Sequence, residues 1–262
     1  MSRAMLSFLC IDLSLGVRMS PVKASQTARE RARAELTREI KKEARRQLAE
    51  VGGNGLSLRA VARELGMVSS ALYRYFPSRD DLLTALIIDA YDAVGKAAED
   101  AVAAEAIAGR QWASACHAIR AWALAHPHEY ALIYGSPVPG YRAPEATIGP
   151  ASRVPLALIS VLAGAAANGT AEAFGAPGPP DGQLASQAAA LAAALTASGA
   201  SAVPADLLVR AVIAWTQLFG MVSWELFGQF VGSFEPADAL FDHAVAQMAV
   251  FVGLGQRPWS AR

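Results

Sequence analysis

The sequence predicts an all-α protein, with an N-terminal helix-turn-helix domain of three helices and a larger C-terminal helical domain. Three observations predict this fold class. Apolar residues recur at helical spacing between residues 33 and 83, and a glycine separates two short helices within that stretch. From Asp80 onward the chain is rich in Ala, Leu, Val and Ile and carries no strand signal.

The first predicted helix spans residues 33–51 and is amphipathic. One stripe of it is apolar: Leu36, Ile40, Ala44, Leu48 and Val51. The run Gly52-Gly53-Asn54-Gly55 follows directly and is expected to end the helix. The apolar stripe predicts that this helix packs on the helix-turn-helix.

Residues 57–83 contain two short helical patterns that meet at Gly66. Apolar residues of the first pattern share one helix face: Leu58, Val61, Ala62 and Leu65. The second pattern carries Leu72 and Phe76 one helical turn apart, so both patterns can face a common core. Gly66 tolerates the positive φ that ends a helix, and we expect N-caps at Ser57 and at Ser69 or Ser70. These features predict a helix-turn-helix.

With Leu72 and Phe76 buried, the second helix would present a polar and basic face. Ala71 is small enough to touch a thymine methyl, Arg74 can reach guanine or phosphate, and tyrosine hydroxyls suit phosphate oxygens. Arg79 begins the next helix, whose free N–H groups attract phosphate. The candidate DNA contacts are Ser57, Arg59, Ser69, Ser70, Ala71, Tyr73, Arg74, Tyr75 and Arg79. An ordinary helical hairpin with a solvated face is the alternative.

The charge distribution favours the DNA interpretation. Residues 19–79 carry thirteen Lys and Arg against six Glu, a net charge of +7, whereas residues 80–262 carry eight against sixteen, a net charge of −8. Residues 1–18 add +1, so the whole chain is formally neutral. A basic N-terminal part on an acidic remainder predicts a polyanion as partner.

Residues 1–28 are interpreted as an N-terminal extension followed by a basic arm. Asp12 interrupts the apolar run near the N-terminus and no clear cleavage site follows, which disfavours a secretory signal. We expect Met19 to be the natural start, with residues 1–18 mis-assigned or disordered. The two cysteines, Cys10 and Cys116, predict a cytosolic protein without structural disulfides.

The C-terminal part is expected to be helical almost throughout. The predicted helices cover residues 80–108, 111–125, 129–134, 153–168, 183–198, 204–231 and 236–253. Residues 135–150 and 169–182 are rich in Pro and Gly and predict loops. Residues 182–205 are uncharged, but Ala, Ser, Gly and Gln give a weak transfer drive, so a buried or surface helix is expected there rather than a membrane span.

Residues 34–90 resemble the DNA-binding domain of the TetR family of bacterial transcriptional regulators. The matching residues are Ser57, Ala62, Leu65-Gly66-Met67, Ser70, Leu72-Tyr73, Tyr75-Phe76, Ser78-Arg79 and Leu82. The family usually has Lys at the position of Arg79, so the positive charge is kept. The resemblance implies a cytoplasmic homodimer that binds a double-stranded DNA operator, with the two recognition helices about 34–36 Å apart.

The C-terminal half resembles the branch of the family named for a Trp-His-Gly-type signature, through residues 126–144 and 215–220. Phe219 stands where that branch usually has His, so an apolar ligand contact is expected there. The resemblance implies an effector pocket, and aromatic residues are its candidate lining: Trp112, Trp122, Tyr130, Tyr134, Tyr141, Trp215, Phe219 and Trp224. Core packing is the alternative for each of them.

The last two helices are apolar on wide faces, which a single domain does not easily cover. On the first these residues are Leu207, Leu208, Val212, Trp215, Phe219, Val222 and Leu226. On the second they are Leu240, Phe241, Val245, Met248, Val250, Phe251 and Val252. The resemblance implies that the two helices pair with those of a second copy in a four-helix bundle.

An enzymatic function is not predicted. His126, His128 and Glu129 form the densest group of candidate metal or catalytic residues, but a helix cap centred on Pro127 explains them more simply. Phosphate-loop and nucleophile-elbow motifs are absent from the sequence. We therefore expect no catalytic residue, no metal and no cofactor.

Together these observations predict a DNA-binding domain at residues 29–79 and an effector-binding and dimerisation domain at residues 80–262. The expected function is a ligand-responsive repressor that releases a palindromic operator when a small apolar or amphipathic effector binds. A transcriptional activator, or an effector-binding protein of the same fold, is the alternative.

Overall fold

Within residues 28–171 and 180–255, which the computed structural model describes, the backbone forms ten α-helices, one short 3-10 helix and no strand. In chain order the α-helices are α1 (Ala28–Gly55), α2 (Leu58–Glu64), α3 (Ser69–Leu72), α4 (Arg79–Ala103), α5 (Ala108–Ala125), α6 (Pro127–Tyr134), α7 (Ile148–Ala167), α8 (Gly182–Ala197), α9 (Ala205–Leu226) and α10 (Asp238–Phe251). The predicted all-α class is confirmed. The predictions for residues 1–27 lie outside the described residues.

Four helix ends differ from the predicted ones by five residues: the start of α1, the end of α4, the start of α7 and the end of α9. Of these, α7 begins inside the predicted loop 135–150. The 3-10 helix Glu145–Thr147 leads into it, and the Thr147 hydroxyl donates to the Pro144 carbonyl at 2.7 Å. Pro150 falls in the first turn of α7, where a missing N–H costs no intrahelical bond. Pro150 is therefore compatible with a helix that begins at Ile148 and not, as the sequence pattern predicts, at residue 153.

Two helical segments, Glu145–Ala167 and Ala205–Leu226, are long and apolar enough to cross a bilayer by length and composition alone. Core helices of water-soluble proteins share both properties, so the indication of a membrane span is weak. The stretch 182–205 is not one of these two segments.

The described residues group into two compact units. The helix-turn-helix unit comprises residues 28–92 and 126–150, and the C-terminal unit comprises residues 93–125, 151–171 and 180–255. Packing thus assigns the first half of α4 and the segment 126–150 to the helix-turn-helix unit. The predicted division at residue 80 followed the sequence pattern, which does not report these contacts. The boundary between a DNA-binding and an effector-binding domain stays a prediction.

The core of the helix-turn-helix unit follows the predicted apolar faces. Ile40, Ala44 and Leu48 of α1 are buried, as are the apolar residues of α2. Val51 is 54% exposed, so its predicted place in the buried stripe of α1 is wrong. The backbone breaks directly after it, at Gly52 (φ 66°, ψ 177°), so Val51 is the last residue of the regular first part of α1.

Ion pairs tie α1 to the other elements of the helix-turn-helix unit. Arg45 donates to Glu129 of α6 at 2.8 Å and to Asp89 of α4 at 2.7 Å. Lys41 also donates to Asp89, at 2.7 Å. These side chains are partly buried, so their charges are screened less than those of a surface pair.

In the C-terminal unit, Arg120 of α5 connects two further helices. Its Nε and Nη2 donate to Glu225 of α9 at 2.7 and 2.6 Å, and its Nη1 donates to Asp238 of α10 at 3.0 Å. The guanidinium also lies 4.9 Å from the ring centroid of Phe241. Its hydrogen bonds to Glu225 and Asp238 raise the pKa of Arg120, which remains charged.

Burial within the chain corrects part of the predicted dimer face of α9 and α10. Seven of the fourteen predicted residues are buried: Leu207, Leu208, Val222, Phe241, Val245, Met248 and Val252. The other seven are half-buried, and pairing with a second copy stays a prediction. Exposed apolar side chains lie at other positions of α9 and in the segment after it: Ile213, Trp224, Phe227, Val231 and Phe234. Helical spacing identifies an apolar face but does not decide whether another part of the same chain covers it.

We expect Cys116 to be unreactive in the folded protein. The thiol is fully buried, and desolvation raises its pKa to about 12 from the ordinary 9.0. At pH 8 the folded protein then holds roughly a thousandfold less thiolate than an ordinary cysteine. Iodoacetamide labelling of a Cys10→Ala variant, followed by mass spectrometry, measures this. Equal labelling rates with and without denaturant would contradict the expectation.

Candidate functional site

The turn between α2 and α3 has the predicted geometry at its start. Ser57 caps α2, its hydroxyl accepting from the Ala60 N–H at 3.4 Å. Gly66 has φ 64°, and the Met67 N–H donates to the Ala62 carbonyl at 2.8 Å. The predicted N-cap Ser57 and the left-handed Gly66 are therefore confirmed.

The second predicted N-cap is wrong. Val68, with extended backbone (φ −67°, ψ 136°), occupies the N-cap position of α3 and makes no side-chain cap bond. Ser69 and Ser70 already lie in the first turn, because the chain resumes helical geometry directly after Val68. This register places both serines on the helix that the sequence predicts to face DNA.

The recognition segment, residues 69–75, is regular only in its first turn. After α3 ends at Leu72, the Tyr75 N–H donates to the Leu72 carbonyl at 2.8 Å and the Phe76 N–H donates to the same oxygen at 3.1 Å. Leu72 is completely buried and Phe76 is 7% exposed, as predicted. The tightened turn carries Tyr73 and Arg74 on its outer side, where both are exposed.

The predicted DNA contacts differ in exposure. Arg59, Ser70, Tyr73 and Arg74 are exposed, whereas Ser57, Ser69, Ala71, Tyr75 and Arg79 are half-buried. The structure brings the start of α2, the residue after α3 and the start of α4 together around a surface depression of about 250 Å³, lined by Leu56, Ser57, Leu58, Arg59, Tyr73 and Arg79. The DNA contacts themselves stay predictions.

Tyr75 has a cationic neighbour that sequence reasoning missed. The guanidinium of Arg33 lies 5.1 Å from the centroid of its ring, within the range of a cation–π contact. Arg33 belongs to α1, which begins at Ala28, five residues before the predicted start of this helix. The sequence holds no local signal for the pair, because 42 positions of chain separate the two residues.

Arg79 has partners within the protein. Its Nη2 donates to the Gly53 carbonyl at 2.6 Å and to the Asn54 carbonyl at 3.3 Å, and its Nε donates to the Leu56 carbonyl at 3.1 Å. These three carbonyls follow the break at Gly52 and lead into α2, and this stretch, residues 53–56, is called the α1–α2 connection. The contacts fix it against the start of α4. The planar guanidinium spreads its N–H groups over three nitrogens and reaches all three carbonyls, whereas a lysine ammonium has its three N–H groups on one nitrogen.

The eight aromatic residues predicted to line a pocket are divided between the two units. Tyr130, Tyr134 and Tyr141 belong to the helix-turn-helix unit, and the other five belong to the C-terminal unit. Within the C-terminal unit, the rings of Trp215 and Phe219 are 5.9 Å apart, and Trp224 is 56% exposed. An effector-lining role stays a prediction for each residue.

The tyrosines of the helix-turn-helix unit join α6 and its following loop to α4. The Tyr91 hydroxyl donates to the Ile133 carbonyl at 3.2 Å, and the Tyr141 and Thr84 hydroxyls are 2.8 Å apart. Burial raises the pKa of Tyr91 to about 12 and that of Tyr134 well above its ordinary value. These phenols therefore stay protonated and serve as neutral packing and hydrogen-bonding groups near neutral pH.

Within the described ranges, no group of three or more His, Cys, Asp and Glu residues could hold a metal ion. The candidate group His126, His128 and Glu129 falls at the start of α6, where Pro127 occupies the first turn. Glu129 is paired with Arg45.

Two family comparisons match separate parts of the chain. Residues 40–86 match the family described as bacterial regulatory proteins, tetR family. Residues 112–248 match the tetracyclin repressor-like C-terminal domain. The first match contains the helix-turn-helix, and the second contains both stretches, 126–144 and 215–220, that resemble the Trp-His-Gly-type branch.

Similar proteins extend over most of the chain. The HTH-type transcriptional regulators Rv1816 of Mycobacterium tuberculosis and Mb1846 of Mycobacterium bovis are each 38% identical over 229 residues, 82% of this chain and 88% of theirs. The crystal structure of SCO4313 is 38% identical, with a TM-score of 0.66, over 85% of this chain and 98% of that one.

A more distant likeness supports the fold alone. The TetR family transcriptional regulator PfmR from Thermus thermophilus is 18% identical, with a TM-score of 0.51, and the match covers 84% of this chain and 99% of that one. The helix-turn-helix geometry, the two family matches and the full-length relatives agree, and the chain belongs to the TetR family of bacterial transcriptional regulators.

Proposed function

We propose that this transcriptional regulator is a homodimeric, cytoplasmic repressor. It binds a palindromic double-stranded DNA operator and releases it when a small apolar or amphipathic effector binds the C-terminal unit. The observation that carries the DNA role is the exposed pair Tyr73 and Arg74 on a short helix whose other face is buried through Leu72. The net charge of +7 over residues 19–79 supplies the attraction to phosphate.

A second copy of the chain is favoured by apolar surface at the end of α9. Trp224, Phe227, Val231 and Phe234 are each at least half exposed, and they follow one another within eleven residues. Large exposed apolar groups in one place mark an interaction surface. A symmetric dimer would also place two recognition helices in successive major grooves, which one protomer alone does not do.

The proposed switch requires that the effector bind two states of the dimer with different affinity. The coupling between effector and operator is that difference in binding free energy. Helix α4 is continuous from Arg79 to Ala103 and contributes residues to both units, so it is the proposed carrier of the change. Effector binding would shift α4 and alter the spacing of the recognition helices.

The direction of regulation has a direct test. DNA selected from a random pool by the wild-type protein is placed upstream of a reporter gene, and the output is measured with and without the regulator. Reduced output supports the repressor, and raised output supports the alternative activator. Unchanged output despite a footprint on the selected DNA would favour the other alternative, an effector-binding protein of the same fold.

Removing the exposed recognition side chains should weaken specific binding. We expect Tyr73→Ala and Arg74→Ala each to weaken binding to the selected DNA about 10- to 100-fold, because each change removes one base or phosphate contact. Fluorescence anisotropy at fixed salt measures the affinity. Arg142→Ala removes an equally exposed arginine of the same unit and should leave it unchanged. An equal loss of DNA affinity in Arg142→Ala and Arg74→Ala would contradict the assigned contacts.

Salt dependence should separate phosphate contacts from support of the loop. We expect Arg59→Gln to reduce the slope of log K against log salt by about 0.9 per protomer, because one phosphate contact is lost. Arg79→Gln should lower affinity with little change of slope, because its guanidinium mainly holds the Gly53 and Leu56 carbonyls. If Arg79→Gln reduces the slope as Arg59→Gln does, a direct phosphate contact by Arg79 is established instead.

The proposed dimer surface should be sensitive to charge. We expect Val231→Glu combined with Phe234→Glu to raise the dimer dissociation constant about tenfold or more, because two carboxylates must then be desolvated at the interface. Sedimentation velocity across a dilution series measures the constant. Ile107→Glu changes a comparably exposed apolar residue elsewhere in the C-terminal unit and serves as control. Wild-type protein that sediments as a monomer would contradict the dimer outright.

A further inference from the structure

The C-terminal unit contains buried hydrogen-bond donors that lack acceptors among the described residues. The Nε1 of Trp112 on α5 is one, and Trp112 is completely buried. The Nε1 of Trp215 and the Nη1 of Arg210, both on α9, are two more. All three atoms donate and none of them accepts.

Such donors are unusual because a buried indole N–H normally finds an acceptor. Leaving one unpaired costs roughly the free energy of a lost hydrogen bond, and the low dielectric of the interior increases that cost. Arg210 is already half satisfied, since its Nη2 donates to Asp206 at 2.8 Å. The remaining donors of α5 and α9 therefore need acceptor atoms that the described residues do not supply.

Trp112 and Trp215 lie at similar positions along their packed helices, α5 and α9. Three pairs make α5 antiparallel to α10 and the residues that follow it: Gly109 with Leu254, His117 with Asp242, and Arg120 with Asp238. Helix α9 packs on both α5 and α10, and Glu225 in its last turn reaches Arg120.

The direction of α9 follows from these contacts. Few residues of α5 follow Arg120, so α9 packs along α5 only by running back toward the end that holds Trp112. Trp112 precedes Arg120 by about 12 Å of helix and Trp215 precedes Glu225 by about 15 Å, at 1.5 Å per residue. The two indoles thus occupy matching levels of packed helices.

We propose that the effector is an amphipathic molecule whose polar group is a hydrogen-bond acceptor, a carbonyl or a carboxylate, held between α5 and α9. Trp112 and Trp215 donate to it through their indole N–H groups. Phe219, whose ring is 5.9 Å from that of Trp215, provides apolar contact beside the donors. This assignment rests on the proposed effector-binding function and narrows it to one ligand class.

The matched donors discriminate against other ligands by chemistry. A hydrocarbon of the same shape would leave the indole N–H groups unpaired, and an amine would place a donor against donors. An acceptor gains hydrogen bonds in a site that is otherwise largely apolar, which is the usual composition of a small-molecule site. The polar group therefore decides binding, and the apolar body adds to it.

Calorimetric titration of the full-length protein with four matched probes tests the assignment. The probes are 2-naphthoate, methyl 2-naphthoate, 2-methylnaphthalene and 2-naphthylmethylamine. We expect the two acceptor-bearing probes to bind about tenfold or more tightly than 2-methylnaphthalene, and the amine to bind most weakly. Equal affinities across the series, or no binding of either acceptor-bearing probe at millimolar concentration, would overturn the assignment.

Substitutions locate the binding in the protein. Trp112→Phe keeps an aromatic ring but removes the N–H, and should reduce 2-naphthoate binding about tenfold while leaving 2-methylnaphthalene unaffected. Trp215→Phe should act in the same direction and serves if Trp112→Phe does not fold. Trp259→Phe is the matched control, because it makes the same change at a tryptophan with no role assigned in DNA, effector or dimer contacts. A comparable loss in Trp259→Phe would contradict the placement.

The indole N–H resonances give a readout that a purely structural role would not move. In nitrogen-15 labelled wild-type protein, the proton of the Trp112 indole should shift downfield on addition of 2-naphthoate, as a hydrogen bond forms, and the Trp112→Phe spectrum assigns the peak. A Trp112 peak that stays in place while 2-naphthoate binds would refute the donor role.

The two proposals fail in different ways. If 2-naphthoate binds through Trp112 but the selected DNA stays bound, the ligand class stands and effector-gated release is wrong. If the DNA is released by 2-methylnaphthalene as readily as by 2-naphthoate, effector-gated release stands and the acceptor assignment is wrong.

Discussion

The recognition helix depends on the burial of Leu72. Helix α3 has four residues, too few to be stable by themselves, since nucleation of a helix costs more than one turn of hydrogen bonds returns. The complete burial of the Leu72 side chain and the packing of α2 on both α1 and α3 stabilise this helix, which its local propensity alone would not do. The exposure of Tyr73 and Arg74 is a consequence, because they occupy the opposite side of the same turn.

Three arginines connect the elements around this core, and each of them contacts a different kind of group. Arg79 donates to backbone carbonyls of the α1–α2 connection, Arg33 lies over the Tyr75 ring, and Arg45 pairs with Asp89 and Glu129. The basic charge of this part of the chain is thus partly structural. Net charge therefore overstates the number of cations available to DNA phosphate, and the exposed Arg59 and Arg74 become the main candidates.

Some buried polar groups of the C-terminal unit are paired within the unit, and others have no partner among the described residues. Arg120 is 8% exposed and fully engaged by Glu225 and Asp238, so it holds α5, α9 and α10 together at one level. Trp112 and Trp215 lie about 12 to 15 Å along the helices from this level. Their indole N–H groups have no such acceptors among the described residues. The proposed acceptor-bearing effector would pair with these indoles, and the Arg120 ion pairs would keep the surrounding helices in place.

By itself, the sequence determined the all-α class, the cap at Ser57, the left-handed turn at Gly66 and the burial of Leu72 and Phe76. Each depends on residues within one or two helical turns, where spacing and backbone preference suffice. Tertiary structure alone decided that Val51 is exposed, that α9 and α10 bury much of their apolar faces within the chain, that residues 126–150 pack with α1, and that Arg79 holds a loop. These outcomes depend on contacts between residues tens of positions apart, and a periodic pattern records that a face is apolar without recording what covers it.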